Sequence, residues 1–548
     1  MKLKIDKGIK FRGQSLYVKV GTDELFVLDT IRSFNCYYHK SRNMWELPRA
    51  AFKTILDKCS DCEITIYGKL PKEQEQYLQL LEIYDKPVQP YSSNTTPYSY
   101  QMDSFKFSVE QTKFLLADEQ GLGKTKQALD IAVSKKDQMK HCLIVCGVNE
   151  LKWNWVKEVA VHTNEQAHIL GEHEGKIGSV NERLTDLGKE HTEFFLITNI
   201  ETLRDANIQV KIKTMCQAGV IGMTIIDEIH KCKNPTSKQG KAIHCCCSYY
   251  KLALTGTPIM NAAIDLYNVL KWLEVENHTL TQFKNHYCIM GGFGGYQIVG
   301  YKNLDKLHNR LNKYMLRRRK QDVLDLPPKI YTDELLEMDV AQQKIYNEAE
   351  QYIQDNIDKI LLLPNPLTEL IRLRQATGNP NILTTHEVNN VKYKRMQEII
   401  YEVVNNGGKV IVFSNWTQVI NPAYELLPSY NPALVTGETK NKDKQIQKFK
   451  TDESCKVILG TIPCLGTGFT LNEANTVIFL DEPFSSADKE QAEDRCHRIG
   501  TKGAVNIITL MCKGTVDERI HNIVKNKKEL SDKIVDNKQQ FLNIIGGK

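Results

Sequence analysis

The feature that most restricts the fold is a regular alternation, from residue 114 onward, of short apolar runs and amphipathic segments. Apolar runs separated by helical patterns are typical of parallel sheets covered by helices on both faces. The first five runs are residues 114–117, 142–146, 194–198, 223–227 and 251–255, and the second five are 410–413, 433–435, 457–460, 477–480 and 505–511. Because a long helical stretch separates the two groups, the pattern predicts two α/β lobes in tandem.

The segments outside these groups predict a connector, a linker and a small domain. Residues 276–376 have a mainly helical pattern, which a glycine-rich stretch at 291–295 and Pro327-Pro328 interrupt. Residues 69–96 are rich in Pro, Gln, Glu, Tyr and Ser, as linkers are. A chain of 548 residues is also too long for one core. The expected order is a small α+β domain (1–68), the linker (69–96), the first lobe (97–275), the helical connector (276–376), and the second lobe with C-terminal helices (377–548).

The composition excludes several classes of protein. No apolar run approaches the roughly 18 residues of a membrane span, and the N-terminus has no apolar secretory core. We therefore expect a cytoplasmic protein with no membrane partner. Fifteen cysteines without disulfide-framework spacing indicate reduced thiols. A net charge of +6 permits a polyanionic partner without identifying one.

A glycine-rich loop follows the first apolar run. Residues 118–125 (Asp-Glu-Gln-Gly-Leu-Gly-Lys-Thr) lie between a predicted strand and a predicted helix. Gly121 and Gly123 allow backbone N–H groups to surround phosphate oxygens, Lys124 reaches the β- and γ-phosphates, and Thr125 holds magnesium. Asp118 stands where the general pattern has glycine, so a chance glycine-rich loop is the alternative interpretation. The strand and helix on either side favour a site for ATP.

An acidic pair follows the fourth apolar run. Asp227 and Glu228 end a predicted strand about 100 residues after the loop. Hydrolysis at a bound phosphoryl group needs one carboxylate on Mg²⁺ and another group to orient or deprotonate water. We assign the metal role to Asp227 and the water role to Glu228. Alone, such a pair is more often a solvated turn; its position after a phosphate loop in the same sheet favours catalysis.

Two arginines share one helical face near the end of the second lobe. Arg495 and Arg498 are three residues apart, in residues 491–498 (Gln-Ala-Glu-Asp-Arg-Cys-His-Arg). Such a pair could stabilise the transition-state charge of phosphoryl transfer. A helix whose arginines form salt bridges with Glu493 and Asp494 is the alternative.

Together these segments resemble the Swi/Snf family of DNA translocases, within helicase superfamily two. The resemblance covers about residues 97–525 and keeps the family's order of motifs. The most specific segment is 314–329, which resembles the family's Leu-Arg-Arg sequence leading to Leu-Pro-Pro-Lys. The other matching segments are 118–125, 227–230, 231–235, 254–258, 372–375, 413–416 and 497–500.

The resemblance implies two RecA-like lobes, hydrolysis of ATP with Mg²⁺, and movement along double-stranded DNA. It identifies Gln101 as the glutamine that contacts adenine and makes Asp118 part of the family's own phosphate loop. It also places Gly468 in the fifth motif. Candidate contacts to the DNA backbone are Thr198, Asn199, Lys233 and Asn234. The chain departs from the family pattern at Gln120, where Met is usual, at Thr501 in place of Gln, and at Phe484-Ser485 in place of Trp-Asn.

The N-terminal segment resembles the HARP accessory domain of the annealing-helicase branch. The similar residues are 10–12, 16–20 and 43–48. A basic, aromatic-containing module suits contact with branched DNA, and a small docking domain is the alternative. Cys36, His39, Cys59 and Cys62 have spacings compatible with zinc, although buried cysteines and a surface histidine are commoner.

The resulting expectation is a monomeric ATP-dependent translocase on double-stranded DNA that remodels or anneals forks. A motor that acts through a protein partner, displacing proteins or RNA polymerase from DNA, is the main alternative. A non-hydrolysing binding module would have broken motifs, and the intact Lys124, Glu228, Arg495 and Arg498 argue against it.

Overall fold

The chain forms two compact units, Met1–Pro87 and Val88–Lys548. The computed structural model describes residues 2–6, 15–20, 31–32, 34, 36–48, 51, 55, 63–67, 93–147, 149, 151–173, 175–256, 263–291, 297–356, 367–466, 470–498, 500–501, 503–522 and 524–525. Within these ranges, no helix has both the length and the apolar character required to cross a bilayer.

The first unit contains a five-stranded mixed sheet. Its strands are β1 (Lys2–Asp6), β2 (Ser15–Val20), β3 (Tyr37–His39), β4 (Met44–Pro48) and β5 (Glu63–Tyr67). They lie in the order β1-β5-β2-β4-β3, in which β1 and β5 are parallel and the other neighbours are antiparallel. Val18, Leu47 and Ile66 are buried on one face of this sheet, and Met44 is buried on the other. Of the HARP-like segments, residues 10–12 lie outside the described residues.

The first lobe of the second unit is built on a seven-stranded parallel sheet, with two small hairpins beside it. The strands are β6 (Lys113–Leu116), β7 (His141–Cys146), β8 (Ala167–Ile169), β9 (Glu172–His173), β10 (Lys176–Ile177), β11 (Phe195–Asn199), β12 (Ile221–Ile226), β13 (Tyr250–Leu254), β14 (Cys288–Gly291), β15 (Gln297–Tyr301) and β16 (Met315–Leu316). The order in the main sheet is β16-β6-β13-β12-β7-β11-β8. Every residue of β7, β11, β12 and β13 is buried, because helices cover both faces.

Among the described residues, nine α-helices accompany these strands. They are α1 (Ser99–Glu110), α2 (Lys124–Ser134), α3 (Leu151–His162), α4 (Val180–Asp186), α5 (Ala206–Gln217), α6 (Lys238–Ala242), α7 (Leu266–Trp272), α8 (Leu280–Tyr287) and α9 (Leu304–Tyr314). Apolar side chains of α5, α7, α8 and α9 form one core cluster with the sheet, in which Trp272 and Phe283 are among the largest buried side chains.

The second lobe is a six-stranded parallel sheet. Its strands are β17 (Lys329–Leu336), β18 (Val410–Ser414), β19 (Ala433–Val435), β20 (Val457–Thr461), β21 (Thr476–Phe479) and β22 (Val505–Cys512), in the order β17-β22-β21-β18-β20-β19. The helices that follow α9 are α10 (Lys320–Val323), α11 (Val340–Asp355), α12 (Leu367–Gly378), α13 (Val391–Asn405), α14 (Thr417–Glu425), α15 (Lys442–Thr451), α16 (Ile462–Leu465) and α17 (Ser486–Glu493). Two core clusters occupy its two faces.

The predicted fold class, two parallel-sheet α/β lobes in tandem, is confirmed. Each of the ten predicted strands is present, and its ends differ from the prediction by at most two residues. The connector also contains strands: β16 joins the first sheet and β17 joins the second. A two-residue strand is too short to show a period, and β17 is a largely exposed edge strand without an apolar run.

Candidate nucleotide-binding cleft between the two lobes

A glycine-containing turn joins β6 to α2. Gly121 and Gly123 have φ angles of +83° and +72°, in the left-handed region where a side chain is strained. A Cβ atom added at Gly123 would lie 2.7 Å from Nε2 of Gln101. The two glycines therefore allow the loop to turn tightly onto the N-terminus of α2, where backbone N–H groups favour an anion.

Lys124, the first residue of α2, points back over this loop. Its Nζ donates to the carbonyl oxygens of Asp118 (2.8 Å) and Glu119 (3.0 Å). Burial lowers the pKa of Lys124, and the nearby carboxylate of Glu228 opposes that shift. Because an ammonium group has three N–H donors, Lys124 can hold its own loop and still donate to a phosphate.

The side chains of Gln101 and Asp118 support the loop. Gln101 donates through Nε2 to the carbonyl oxygen of Leu122 (3.3 Å), and its Oε1 accepts the N–H of Tyr98 (3.0 Å). The fully buried carboxylate of Asp118 accepts two bonds from Arg318, one 2.5 Å long and one 3.0 Å long. Gln101 thus lines the cleft together with Thr125, whereas Asp118 lies beneath the loop and fixes its base.

Asp227 follows the end of β12 and faces the phosphate loop. Its Oδ2 accepts the indole N–H of Trp155 (3.1 Å), and its Oδ1 accepts the backbone N–H of Glu228 (2.9 Å). Burial and the neighbouring negative charge of Glu228 raise the pKa of Asp227 to about 7. Because burial favours the neutral form of Asp227, its carboxylate is suited to bind a divalent cation, whose positive charge takes the place of the proton.

Glu228 has an unusual backbone and contacts both lobes. Its φ of +49° is strained for a residue with a side chain, and Gly147 makes room for it, since a Cβ atom there would lie 2.7 Å from the Cβ atom of Glu228. Oε1 accepts from Gln491 of the second lobe (3.2 Å) and more distantly from Gln120 (3.5 Å). Oε2 is buried and forms no hydrogen bond among the described residues, although Nδ1 of His230 lies 3.3 Å from it. A buried acceptor of this kind can hold a water molecule.

The paired arginines enter the cleft from the second lobe, directly after α17. Nε of Arg495 donates to the carbonyl oxygen of Gln491 (3.0 Å), and Nη1 of Arg498 donates to Oγ1 of Thr470 (2.9 Å). Burial and the charge of Arg498 lower the pKa of Arg495 to about 10. The carboxylates of Glu493 and Asp494 form salt bridges with Lys329 (2.9 and 2.8 Å).

These groups line one cleft of about 840 Å³. The proposed catalytic side chains in its wall are Lys124, Asp227, Glu228, Arg495 and Arg498. Three cations and two carboxylates at one cleft fit a triphosphate with Mg²⁺. Lys124 and the loop would hold the phosphates, Thr125 and Asp227 the metal ion, and Gln101 the base.

The candidate DNA contacts occupy different positions. Thr198 and Asn199 end β11 and are almost fully buried, and Asn199 donates to Glu201 (2.6 Å). Lys233 forms a salt bridge with Asp265 (2.8 Å), and Asn234 accepts the N–H of Thr236 (2.9 Å). Gly468 lies outside the described residues.

Two further groups of possible metal ligands lie outside the cleft, and no metal site is assigned to either among the described residues. Cys59 and Cys62 lie outside the described residues, and His39 bonds to Glu46 (2.9 Å). The structure brings His168, Asp186 and His191 together at the edge of the first sheet. In that cluster, Oδ2 of Asp186 accepts the backbone N–H of Gly171 and pairs with His168. The ammonium group of Lys189 lies 3.5 Å from Oδ1 of Asp186. The cluster is therefore a hydrogen-bonded network.

Several residues of the cleft escaped the sequence analysis. Trp155 and Gly147 support the acidic pair from elements that are distant in sequence. Only Gln491 could have been found from the sequence, because it is the first residue of the segment that contains the two arginines. The others depend on which strands become neighbours, which local pattern does not encode.

Comparison with known proteins gives two domain matches. The SNF2-related domain matches residues 40–382, and the helicase conserved C-terminal domain matches residues 391–500. An uncharacterized ATP-dependent helicase of Mycoplasma pneumoniae is 28% identical over 436 residues, which cover 76% of this chain and 40% of that protein. The TATA-binding protein-associated factor MOT1 of Saccharomyces cerevisiae is 25% identical over 511 residues, covering 78% of this chain and 26% of that protein.

The chain therefore spans less than half the length of either relative. Among solved structures, the Sulfolobus solfataricus SWI2/SNF2 ATPase core in complex with dsDNA is 24% identical, with a TM-score of 0.39 and coverage of 84% of this chain and 97% of that one. The HARP-domain branch has no support among these matches. Since the SNF2-related domain alone accounts for more than half of its length, the chain belongs to the SNF2-related family.

Proposed function

We propose that the protein is an ATP-dependent translocase on double-stranded DNA. The observation that carries this proposal is the single cleft in which a phosphate loop and an acidic pair of one lobe face two arginines of the other. Family membership supports ATP hydrolysis, and the similarity to a protein named as an ATP-dependent helicase agrees with it.

In this proposal each lobe contributes a different part of the chemistry. Lys124 and the N-terminus of α2 bind the phosphates, while Thr125 and Asp227 hold Mg²⁺, which neutralises charge on the transferred phosphoryl group. Glu228 orients a water molecule through its buried oxygen, for which its contact with Gln491 provides a fixed position. Arg495 and Arg498 stabilise the transition state, so hydrolysis requires the lobes to be closed.

Movement follows from this division of the site. Because the arginines and the phosphate loop belong to different lobes, binding and release of nucleotide close and open the cleft. Backbone contacts through Thr198, Asn199, Lys233 and Asn234 would be independent of sequence. Lys233, held by Asp265 and partly exposed, is the best placed of the four for such a contact, whereas Thr198 and Asn199 are almost fully buried and would reach a phosphate only after the surrounding structure opens.

The first unit favours branched DNA as the substrate of the translocase. The β3–β4 hairpin exposes Tyr37 (66%) and Tyr38 (38%), and the ring of Tyr38 lies 4.7 Å from that of Trp45. Exposed aromatic rings on a small sheet suit stacking against unpaired bases at a fork.

The primary test is ATPase activity of the full chain with single-stranded, duplex, forked and four-way DNA. We expect stimulation by duplex-containing DNA, and its abolition by Lys124→Ala and by Glu228→Gln. Undiminished turnover in both variants would refute the assignment of the site. Displacement of a triplex strand without unwinding of a tailed duplex would support double-strand translocation.

Fork preference has a separate test. Tyr37→Ala with Tyr38→Ala should remove any preference for forked over plain duplex DNA. The matched control is Tyr401→Ala, since Tyr401 is another exposed tyrosine, 62% exposed on α13. Equal activity of the wild type on all duplex substrates would favour simple translocation.

A partner-directed motor is the second candidate. It has specific support in the similarity to MOT1, whose name describes a factor associated with a DNA-binding protein. Weak stimulation by every DNA substrate, with strong stimulation by a DNA-bound protein obstacle, would favour this alternative.

A further inference from the structure

One segment of the connecting chain contacts both halves of the candidate site. At its start, Arg318 holds the buried carboxylate of Asp118 beneath the phosphate loop (2.5 Å). The backbone carbonyl oxygen of Arg318 accepts the N–H of Glu119 (3.0 Å), and the backbone N–H of Lys320 donates to Oε2 of Glu119 (2.6 Å). We name residues 317–329 the clasp.

The later part of the clasp holds the arginine-bearing segment of the second lobe. Lys329 forms salt bridges with Asp494 (2.8 Å) and Glu493 (2.9 Å). His497 donates through Nε2 to the carbonyl oxygen of Pro327 (2.7 Å). Both contacts flank Arg495, so the clasp fixes the backbone that carries the arginine pair.

Lys320 bonds to both sides, to the first lobe through its backbone and to the second through its side chain. Its Nζ forms a salt bridge with Asp494 (2.7 Å) and donates to the carbonyl oxygen of His497 (2.8 Å). Its stem lies on the phosphate loop: a Cβ atom added at Gly121 would lie 3.1 Å from Cε of Lys320 and 3.4 Å from Cγ of Arg498. The side chain is only 8% exposed.

The electrostatics of the clasp match this arrangement. Burial opposes ionisation of Asp494, but the ammonium groups of Lys329 and Lys320 outweigh it and lower the pKa of that carboxyl group well below its ordinary value. Asp494 is therefore a buried anion shared by two lysines. Removing one partner from a buried pair leaves an uncompensated charge, which shifts the local structure.

We propose that Lys320 is a positioning residue that sets the distance between the phosphate loop and the arginine pair, and so couples nucleotide binding on one lobe to hydrolysis by the other. This inference rests on the proposed ATPase function. Lys320 does not line the cleft, and its ammonium group is bonded to Asp494 and His497. It therefore acts through Arg498 and Arg495.

The test uses the full chain with Lys320→Met. We expect kcat for DNA-stimulated hydrolysis to fall at least about tenfold, because a displacement of about 1 Å is costly in a preorganised site. KM for ATP and the affinity for a non-hydrolysable analogue should stay within twofold, while trapping of ADP–aluminium fluoride, which requires both halves of the site, should weaken in parallel with kcat.

Two controls separate coupling from stability. Lys329→Met removes a lysine that shares Asp494 and whose described ion pairs are with the second lobe, so it should lower Tm with a smaller loss of kcat. Lys344→Met, on the exposed face of α11 in a pair with Glu348 (3.9 Å), should change neither. If Lys320→Met does not fold, Lys320→Gln removes the charge of Lys320 alone, keeps a hydrogen-bond donor and leaves the Lys329–Asp494 pair in place.

The outcomes distinguish this inference from the proposed function. A wild type without ATPase activity, or a fully active Lys124→Ala, would refute the proposed function. An active wild type whose Lys320→Met variant keeps kcat within twofold would refute only the positioning role proposed for Lys320. Equal losses of kcat in Lys320→Met and Lys329→Met would also refute it, since the effect would then be a general loss of structure.

Discussion

The two halves of the candidate site are held in different ways. In the first lobe, the catalytic lysine, Lys124, is fixed by carbonyl oxygens five and six residues earlier in the chain. In the second lobe, the segment that bears Arg498 is fixed by Lys320 and Lys329 of the connecting chain, more than 160 residues away. The lysine is thus held by its own loop, whereas the arginine segment depends on distant contacts.

This difference predicts whether a substitution in the site should alter nucleotide binding or hydrolysis. Changes in the first lobe should alter nucleotide binding, because the groups there surround the phosphates and the metal. Changes in the second lobe should leave binding intact and slow hydrolysis, because the arginines act on charge that develops only in the transition state.

The largest effect that sharpens this comparison is expected for Arg498→Ala. Loss of a transition-state arginine should lower kcat by about 10³-fold. The affinity for a non-hydrolysable ATP analogue should change by no more than a few-fold. Single-turnover hydrolysis and analogue binding measure the two separately, and an equal loss of both would place Arg498 with the binding groups of the first lobe.

Gly123→Ala should produce the complementary effect, on binding. The φ of +72° strains alanine, and the new Cβ atom would lie 2.7 Å from the Gln101 amide. A cost of about 2 kcal/mol should raise the Kd for nucleotide roughly 30-fold. Gly514→Ala is the matched control, with φ +71° and no atom within 4 Å of the added group. It should lower stability alone; an unchanged Kd in Gly123→Ala would contradict the prediction.

The same division explains what the sequence could reveal. The phosphate loop and the acidic pair follow apolar runs directly, so periodicity and spacing located both. Asp118, by contrast, was expected at the nucleotide, but Arg318 binds it from 200 residues away. No local pattern predicts such a pairing, because it depends on β16 joining the sheet beside β6.

The contacts that support the site from distant parts of the chain could not be predicted from the sequence, for the same reason. Trp155 reaches Asp227 because β7 and β12 are neighbours, and tryptophan in an amphipathic helix is ordinarily a core residue. The clasp lies in segment 314–329, which resemblance to the family picked out, but only the distances in the structure show that it contacts both halves of the site.

A moderate effect is expected for Trp155→Phe. Phenylalanine keeps the ring but loses the indole N–H that orients Asp227, which should weaken Mg²⁺ activation about tenfold. Titration of ATPase activity with Mg²⁺ measures this. Trp272→Phe loses a similar bond, to the carbonyl oxygen of Cys246 (3.0 Å), and should lower only Tm. A larger Mg²⁺ effect in Trp272→Phe would remove Trp155 from the site.

The smallest effects compare the two glutamines that reach Oε1 of Glu228, one from each lobe. Gln491 donates at 3.2 Å, whereas Gln120 lies at 3.5 Å, at the limit of a hydrogen bond. Gln491→Ala should lower kcat roughly fivefold, the equivalent of about 1 kcal/mol, because the water-orienting carboxylate loses its link to the closing lobe. Gln120→Met, which restores the residue usual in the family, should change kcat by less than about twofold. Steady-state kcat at saturating ATP and DNA ranks the two. If Gln120→Met is the more damaging, Glu228 is positioned within the first lobe, and closure acts through the arginines alone.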